Sequence, residues 1–173
     1  MTKIIAFAGS NSSTSINQAL VECATSQFEN VETIKLVDYD IPMYSIDLEK
    51  SGGMPADISK LVEQLQNADY AVIGCPEHNG LMPAFFKNIL DWLSRTGVKY
   101  METTPIVLLS TSPGGGGAKG GLASVERILG YAKGEILGTY NLPSFSANFD
   151  LSSKEITNDE LKSALNSVMA KIV

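Results

Sequence analysis

Apolar residues gather along this chain in short runs of two kinds. Lys3–Ala8 (KIIAFA), Tyr70–Cys75 (YAVIGC) and Pro105–Thr111 (PIVLLST) are continuous, rich in β-branched residues and followed by turn-like polar stretches. A strand that is apolar on both faces needs cover on both, so these runs predict neighbours in a parallel sheet clothed by helices. Val31–Val37 (VETIKLV) alternates instead, which predicts an edge strand, and a fifth strand is expected within 134–141.

The intervening segments carry helical spacing. Ile16, Leu20, Cys23, Ala24 and Phe28 share one face of residues 15–28, and Ile58, Leu61, Val62 and Leu65 one face of 56–67. Pro83 suits the first turn of a helix over 83–95, and 118–132 brings Leu122, Val125, Ile128 and Leu129 onto one side. A last helix is expected over 157–171, opened by Thr157 and Glu160 in capping-box spacing.

Five strands alternating with five helices in 173 residues predict one doubly wound α/β domain over 1–173, with a five-stranded parallel sheet in order 2-1-3-4-5 and helices on both faces. Ligands of such sheets lie outside the carboxyl ends of the strands where the winding reverses. For this order the relevant loops follow strands one, three and four, at residues 9–15, 76–82 and 112–117.

Composition narrows the chemistry. A chain that is 44% hydrophobic and 18% charged can bury a core, and 19 acids against 13 bases leave no basic face for nucleic acid or an anionic membrane. The acidity is uneven: residues 1–69 hold ten acids and four bases, residues 70–135 five acids and six bases, so an anionic dinucleotide meets no general repulsion at the second and third loops. One His, with Cys23 and Cys75 far apart, offers no metal-ligand spacing, and the two thiols are expected to be separate and reduced. The N-terminal apolar run ends at Gly9, too short for a leader or a membrane span, so a cytoplasmic protein is expected.

The three loops are themselves unusual. Gly9-Ser10-Asn11-Ser12-Ser13-Thr14-Ser15-Ile16-Asn17 joins a glycine turn, many hydroxyls and a helix N-terminus, a combination that suits a phosphate and equally suits ordinary helix capping. It is not a nucleoside-triphosphate loop, because no Lys or Arg occurs between residues 4 and 34. In Pro76-Glu77-His78-Asn79-Gly80-Leu81-Met82-Pro83 two prolines bracket an Asn-Gly turn, leaving stiff backbone to meet the polar edge of a flat ring, or simply a β-turn. Six of the fifteen glycines fall between 114 and 121, where backbone without side chains lets a planar ligand approach.

These stretches, with the Pro83–Trp92 segment (Lys87-Asn88, Asp91-Trp92) and Ile41-Pro42-Met43-Tyr44, resemble the NADPH-dependent FMN reductase family, a flavodoxin-like group that includes flavin, quinone, azo-dye and chromate reductases. The resemblance spans about residues 3–145. It implies a flavodoxin-like fold, bound FMN, NADPH or NADH as co-substrate, and a homodimer or homotetramer. It places the FMN phosphate on Ser10, Ser12, Ser15, Ile16 and Asn17, the flavin ring and ribityl chain on Pro76, Glu77, His78, Asn79 and Gly80, and the far side of the ligand on Ser112, Pro113, Gly114 and Gly115. Two positions depart from the family: Ser12 stands where an Arg is usual and His78 where a Tyr is usual.

The implied activity is an NAD(P)H-dependent oxidoreductase that passes two electrons through FMN to a small acceptor, such as a quinone, free flavin, azo compound or chromate. Hydride chemistry at the flavin N5 calls for no protein acid, base or metal. The alternative is a flavodoxin-type electron carrier without its own nicotinamide turnover. A phosphorylated receiver domain shares the fold, but would need an Asp where the third strand ends in Gly74-Cys75.

Overall fold

The three continuous runs form the middle of one sheet in the computed structural model, which describes residues 1–173. Strands β1 (Ile4–Ala8), β2 (Val31–Thr33), β3 (Tyr70–Gly74), β4 (Ile106–Thr111) and β5 (Ile136–Leu142) are parallel in the order β2-β1-β3-β4-β5, as expected. Every residue of β1 is buried because successive side chains enter different cores. Ile5, Phe7, Ile73 and Leu108 pack against α3 (Ala56–Gln66), α4 (Ala84–Ser94) and α5 (Lys119–Tyr131) through Leu61, Phe86, Ile89 and Val125. Ile4, Ala6, Val72 and Leu109 pack on the opposite face, against Leu20 and Val21 of α1 (Ile16–Thr25) and Leu165 and Met169 of α7 (Asp159–Met169). Each such aliphatic side chain contributes about 1.5–3 kcal/mol on burial, so both layers are needed to hold the sheet.

Two boundaries differ from the sequence expectation because of contacts elsewhere in the fold. β2 is the edge strand, but it ends at Thr33, since the chain then turns through a short 3-10 segment, Leu36–Asp38, that inserts Leu36 into the core and leaves Lys35 and Val37 outside. The final helix is capped by Asn158 rather than Thr157. The Thr157 N–H donates to Asn148 O at 2.9 Å and so continues a small antiparallel ladder, β6 (Phe149–Asp150) with β7 (Glu155–Ile156), leaving the Asn158 Oδ1 to accept from Leu161 N–H at 3.0 Å. Two helices lacked a periodic signal: α2 (Ile46–Gly52), which buries no residue, and the single turn α6 (Phe145–Asn148). Cys23 and Cys75 are free and apart. No helix is long and apolar enough to cross a membrane.

Candidate functional site

The first loop leaves β1 at Gly9, whose N–H donates to Gly74 O at 2.9 Å. A Cβ at this position would lie 2.3 Å from the Phe86 ring, so only glycine lets the loop pass over α4. Beyond it the chain is held by its own hydroxyls. Ser12 N–H donates to Ser10 Oγ at 3.2 Å, Thr14 N–H to Ser12 Oγ at 3.3 Å, and Ser15 Oγ caps α1 by accepting from Gln18 N–H at 3.2 Å. The N–H groups of Ile16 and Asn17, in the first turn of that ten-residue helix, meet no acceptor in the chain. With no acidic residue in the same turn, the positive end of the helix is free to face an anion.

The Asn17 side chain is engaged within the fold. It is buried and pairs at both ends with Thr111: Nδ2 donates to Thr111 O and Oδ1 accepts from Thr111 N–H, each at 3.0 Å. The neighbouring β3 has ended by this level, so the carboxamide stands in for the missing strand main chain. Asn17 therefore locks the first loop to the third with its side chain, and what it offers a ligand is its main-chain N–H.

The second loop begins where Cys75 N–H donates to Leu109 O at 2.7 Å, the last bond from this chain segment to β4. Burial pushes the Cys75 thiol well above its ordinary pKa, which keeps it protonated and unreactive. Asn79 (φ 53°) and Gly80 (φ 80°) then occupy consecutive left-handed positions, closed by His78 N–H to Leu81 O at 2.8 Å and Leu81 N–H to His78 O at 3.2 Å. This is the two-residue hairpin that Asn-Gly favours, and it leaves the Asn79 and Gly80 amides unpaired at an exposed tip. His78 is exposed beside them. Glu77 reaches the other way, its Oε2 accepting from Gly121 N–H at 2.8 Å in the first turn of α5.

The third loop is anchored from both sides. Ser112 O accepts from Phe145 N–H and Gly114 O from Ser144 N–H, each at 3.0 Å, and Ser110 Oγ donates to Gly117 O at 2.6 Å. Gly117 (φ 61°) and Ala118 (φ 63°) both take the left-handed conformation that turns the chain into α5. The glycine cluster divides in two here. Gly114, Gly115 and Gly116 have open space around them, while Gly120 and Gly121 press against the second loop.

Ser10, Ser12, Ser15, Ile16 and Asn17, with Pro76, Glu77, His78, Ser112 and Pro113, border one cleft of about 230 Å³ at the carboxyl ends of β1, β3 and β4. Asn79, Gly80, Gly114 and Gly115 lie outside its walls, on exposed turns. Thr14 and Thr111 also line the cleft without having been singled out; a hydroxyl residue closing an otherwise apolar strand is the signal that marks Thr111.

The Lys87-Asn88 and Asp91-Trp92 stretch that carries the resemblance lies on α4. Asn88 and Trp92, one turn apart, donate from Nδ2 and Nε1 to Pro42 O at 3.0 and 2.8 Å, while Asn88 Oδ1 accepts from Tyr44 N–H at 2.7 Å. They fix the Ile41–Tyr44 segment to the helix. Lys87 and Asp91 form the exposed i,i+4 pair expected of their spacing.

Known proteins share this architecture. FerB, the flavoenzyme NAD(P)H:(acceptor) oxidoreductase of Paracoccus denitrificans, superposes with a TM-score of 0.77 at 22% identity, covering 99% of this chain and 97% of that one. The quinone reductase of Escherichia coli is 40% identical over 75 residues, 43% of this chain and 40% of that protein. The NADPH:quinone oxidoreductase of Arabidopsis thaliana is 29% identical over 185 residues, 98% of this chain and 91% of its own length. At 40% identity the matches span about half or less of the relatives' length. The NADPH-dependent FMN reductase model matches residues 2–150, and the chain belongs to that family.

Proposed function

We propose that this protein is an NAD(P)H-dependent, FMN-containing oxidoreductase that delivers two electrons to a small acceptor, a quinone, free flavin, azo compound or chromate, and works as a homodimer or homotetramer. The observation that carries this reading is the convergence of unpaired donors on one cleft. The Ile16 and Asn17 amides and the hydroxyls of Ser10, Ser12 and Ser15 meet there at a helix N-terminus, a donor set chemically matched to a phosphate dianion. These groups would hold the FMN phosphate without an Arg. A cation in this loop would add about 1.5–3 kcal/mol, so the affinity rests on hydrogen bonds and the helix dipole.

When bound, FMN supplies the hydride-accepting centre and the two-electron relay. The protein's part is positional. Pro76, Glu77 and His78 border the cleft, and the unpaired Asn79 and Gly80 amides at the exposed tip beyond them would meet the polar edge of the ring, while Pro113, Gly114 and Gly115 would leave one side open to nicotinamide and acceptor in turn. Asn17 keeps the phosphate side and the glycine side in register through Thr111. An exposed groove along α4 and α5, lined by Leu90, Val98, Ile128 and Tyr131, supports self-association.

The test is anaerobic titration of the FMN-loaded protein with NADPH or NADH, followed by the flavin absorbance. Stoichiometric bleaching, reversed by a quinone, is expected. Flavin that stays oxidised with both nucleotides overturns the reading and leaves only electron carriage through a partner reductase.

A further inference from the structure

The cleft at the carboxyl ends of β1, β3 and β4 is lined mostly by groups that carry no charge. The first loop brings hydroxyls and the Ile16 and Asn17 amides to it, and the third brings Thr111, Ser112 and Pro113. Only the second loop brings carboxylate or imidazole side chains, those of Glu77 and His78. These successive residues are committed to different neighbours. Glu77 Oε2 accepts from Gly121 N–H at 2.8 Å, which ties that carboxylate to α5. His78 is held through its main chain, in both hydrogen bonds of the hairpin, while its imidazole is exposed and makes no ion pair. The helices adjoining this loop carry one charge each in their first turn: Lys119 on α5, and Lys87 on α4, which is paired with Asp91. Neither lysine lines the cleft.

His78 is therefore the one side chain of the cleft that can meet an anion as a cation. A phosphate seated on the Ile16 and Asn17 amides would share a hollow of about 230 Å³ with it, and an imidazolium donates from both ring nitrogens where a neutral imidazole donates from one. We propose that protonated His78 is the counter-charge of the FMN phosphate, so that this protein holds FMN more tightly as pH falls through the range in which histidine takes up a proton. The sign follows from linkage: a bound phosphate favours the protonated ring, so binding takes up a proton and lower pH tightens it. This role rests on the reading that FMN occupies the cleft with its phosphate on the first loop. The second loop then supplies the cation that the first lacks.

The test is equilibrium titration of the flavin-free protein with FMN and with riboflavin, which lacks the phosphate, read by flavin fluorescence at about pH 6 and about pH 8.5. The wild type is compared with His78→Gln and His78→Tyr, two neutral replacements of an exposed side chain, and a circular-dichroism melt checks that both fold. At the lower pH each substitution should raise the FMN Kd about fivefold, the upper end for a solvent-exposed ion pair. At the higher pH the FMN Kd should change by less than about twofold, and that of riboflavin by less than about twofold at either. The second ionisation of the phosphate itself, at about pH 6, acts alike in all three proteins and drops out of the ratios. Equal weakening of FMN at both pH values, equal weakening of FMN and riboflavin, or no weakening overturns the pairing while leaving the FMN reading intact. A wild type that binds neither flavin defeats both.

Discussion

A Cβ added to Gly114, Gly115 or Gly116 would meet nothing within 4 Å, whereas one added to Gly121 would lie 2.4 Å from Pro76 O and one added to Gly120 2.5 Å from Gly80 O. Two glycine groups a few residues apart thus owe their residue type to opposite circumstances. In the first, absence of side chains leaves space for something outside the chain. In the second, it lets the start of α5 pack directly on the main chain of the second loop, close enough for Glu77 to accept from Gly121 N–H. The closed group holds the second loop against the start of α5.

Gly121→Ala should break that contrast most severely. A methyl group cannot coexist with a carbonyl oxygen at that distance, so the loop or the helix must shift, at about 2–3 kcal/mol. The gain in helix propensity returns at most about 1 kcal/mol. Urea unfolding measures the difference, and a variant as stable as the wild type would show that the second loop is not held by this packing.

Glu77→Ala should cost about 1 kcal/mol in the same assay, since it removes a charged acceptor from a helix N-terminus but creates no clash. Gly115→Ala sharpens the comparison from the other side. Its stability should stay within about 0.5 kcal/mol of wild type, so any change in FMN Kd on titration reports the ligand face rather than the fold.

The smallest effect belongs to a segment secured by charge rather than by packing. Glu49 accepts from Arg95 Nε at 3.0 Å and from Tyr44 Oη at 2.9 Å, and these bonds, Arg95 first, hold its carboxyl below the usual carboxylate range. A carboxyl whose pKa is lower in the folded state contributes stability above its unfolded value and loses it as pH falls through the folded one. Thermal melts of Glu49→Gln and wild type should therefore differ slightly near neutral pH and converge in acid. A difference that persisted there would mean that the side chain acts by packing.

The arrangement of the sheet was readable because its causes are local. A continuous apolar run is a strand with two covered faces wherever it sits, and Asn79-Gly80 adopts left-handed dihedrals for reasons internal to those two residues. The hydroxyl-rich first loop was legible for the same reason, since capping at Ser15 needs only Gln18, three positions on. The end of β2 and the cap of α7 were misread by one to four residues, because Leu36 and Thr157 answer to partners elsewhere in the fold.

The partners of the Asn17 and Asn88 side chains were beyond any local pattern, although both residues sit in stretches that carry the family resemblance. The two carboxamides bond main-chain groups of Thr111 and of Pro42 and Tyr44, far away along the chain, and nothing in the neighbouring residues announces those partners. The sequence by itself determined the strands and the hairpin turn, consequences of periodicity and backbone preference over a few residues, and the strand order and set of loops at one sheet edge, consequences of the alternation of strands with helices along the chain. Only the tertiary structure decided which glycines are open and which are packed, that the Asn17 side chain serves Thr111, and that His78 borders the same cleft as the first loop. Those outcomes depend on which distant main chain arrives at van der Waals or hydrogen-bond distance, and that is set by the packing of whole layers.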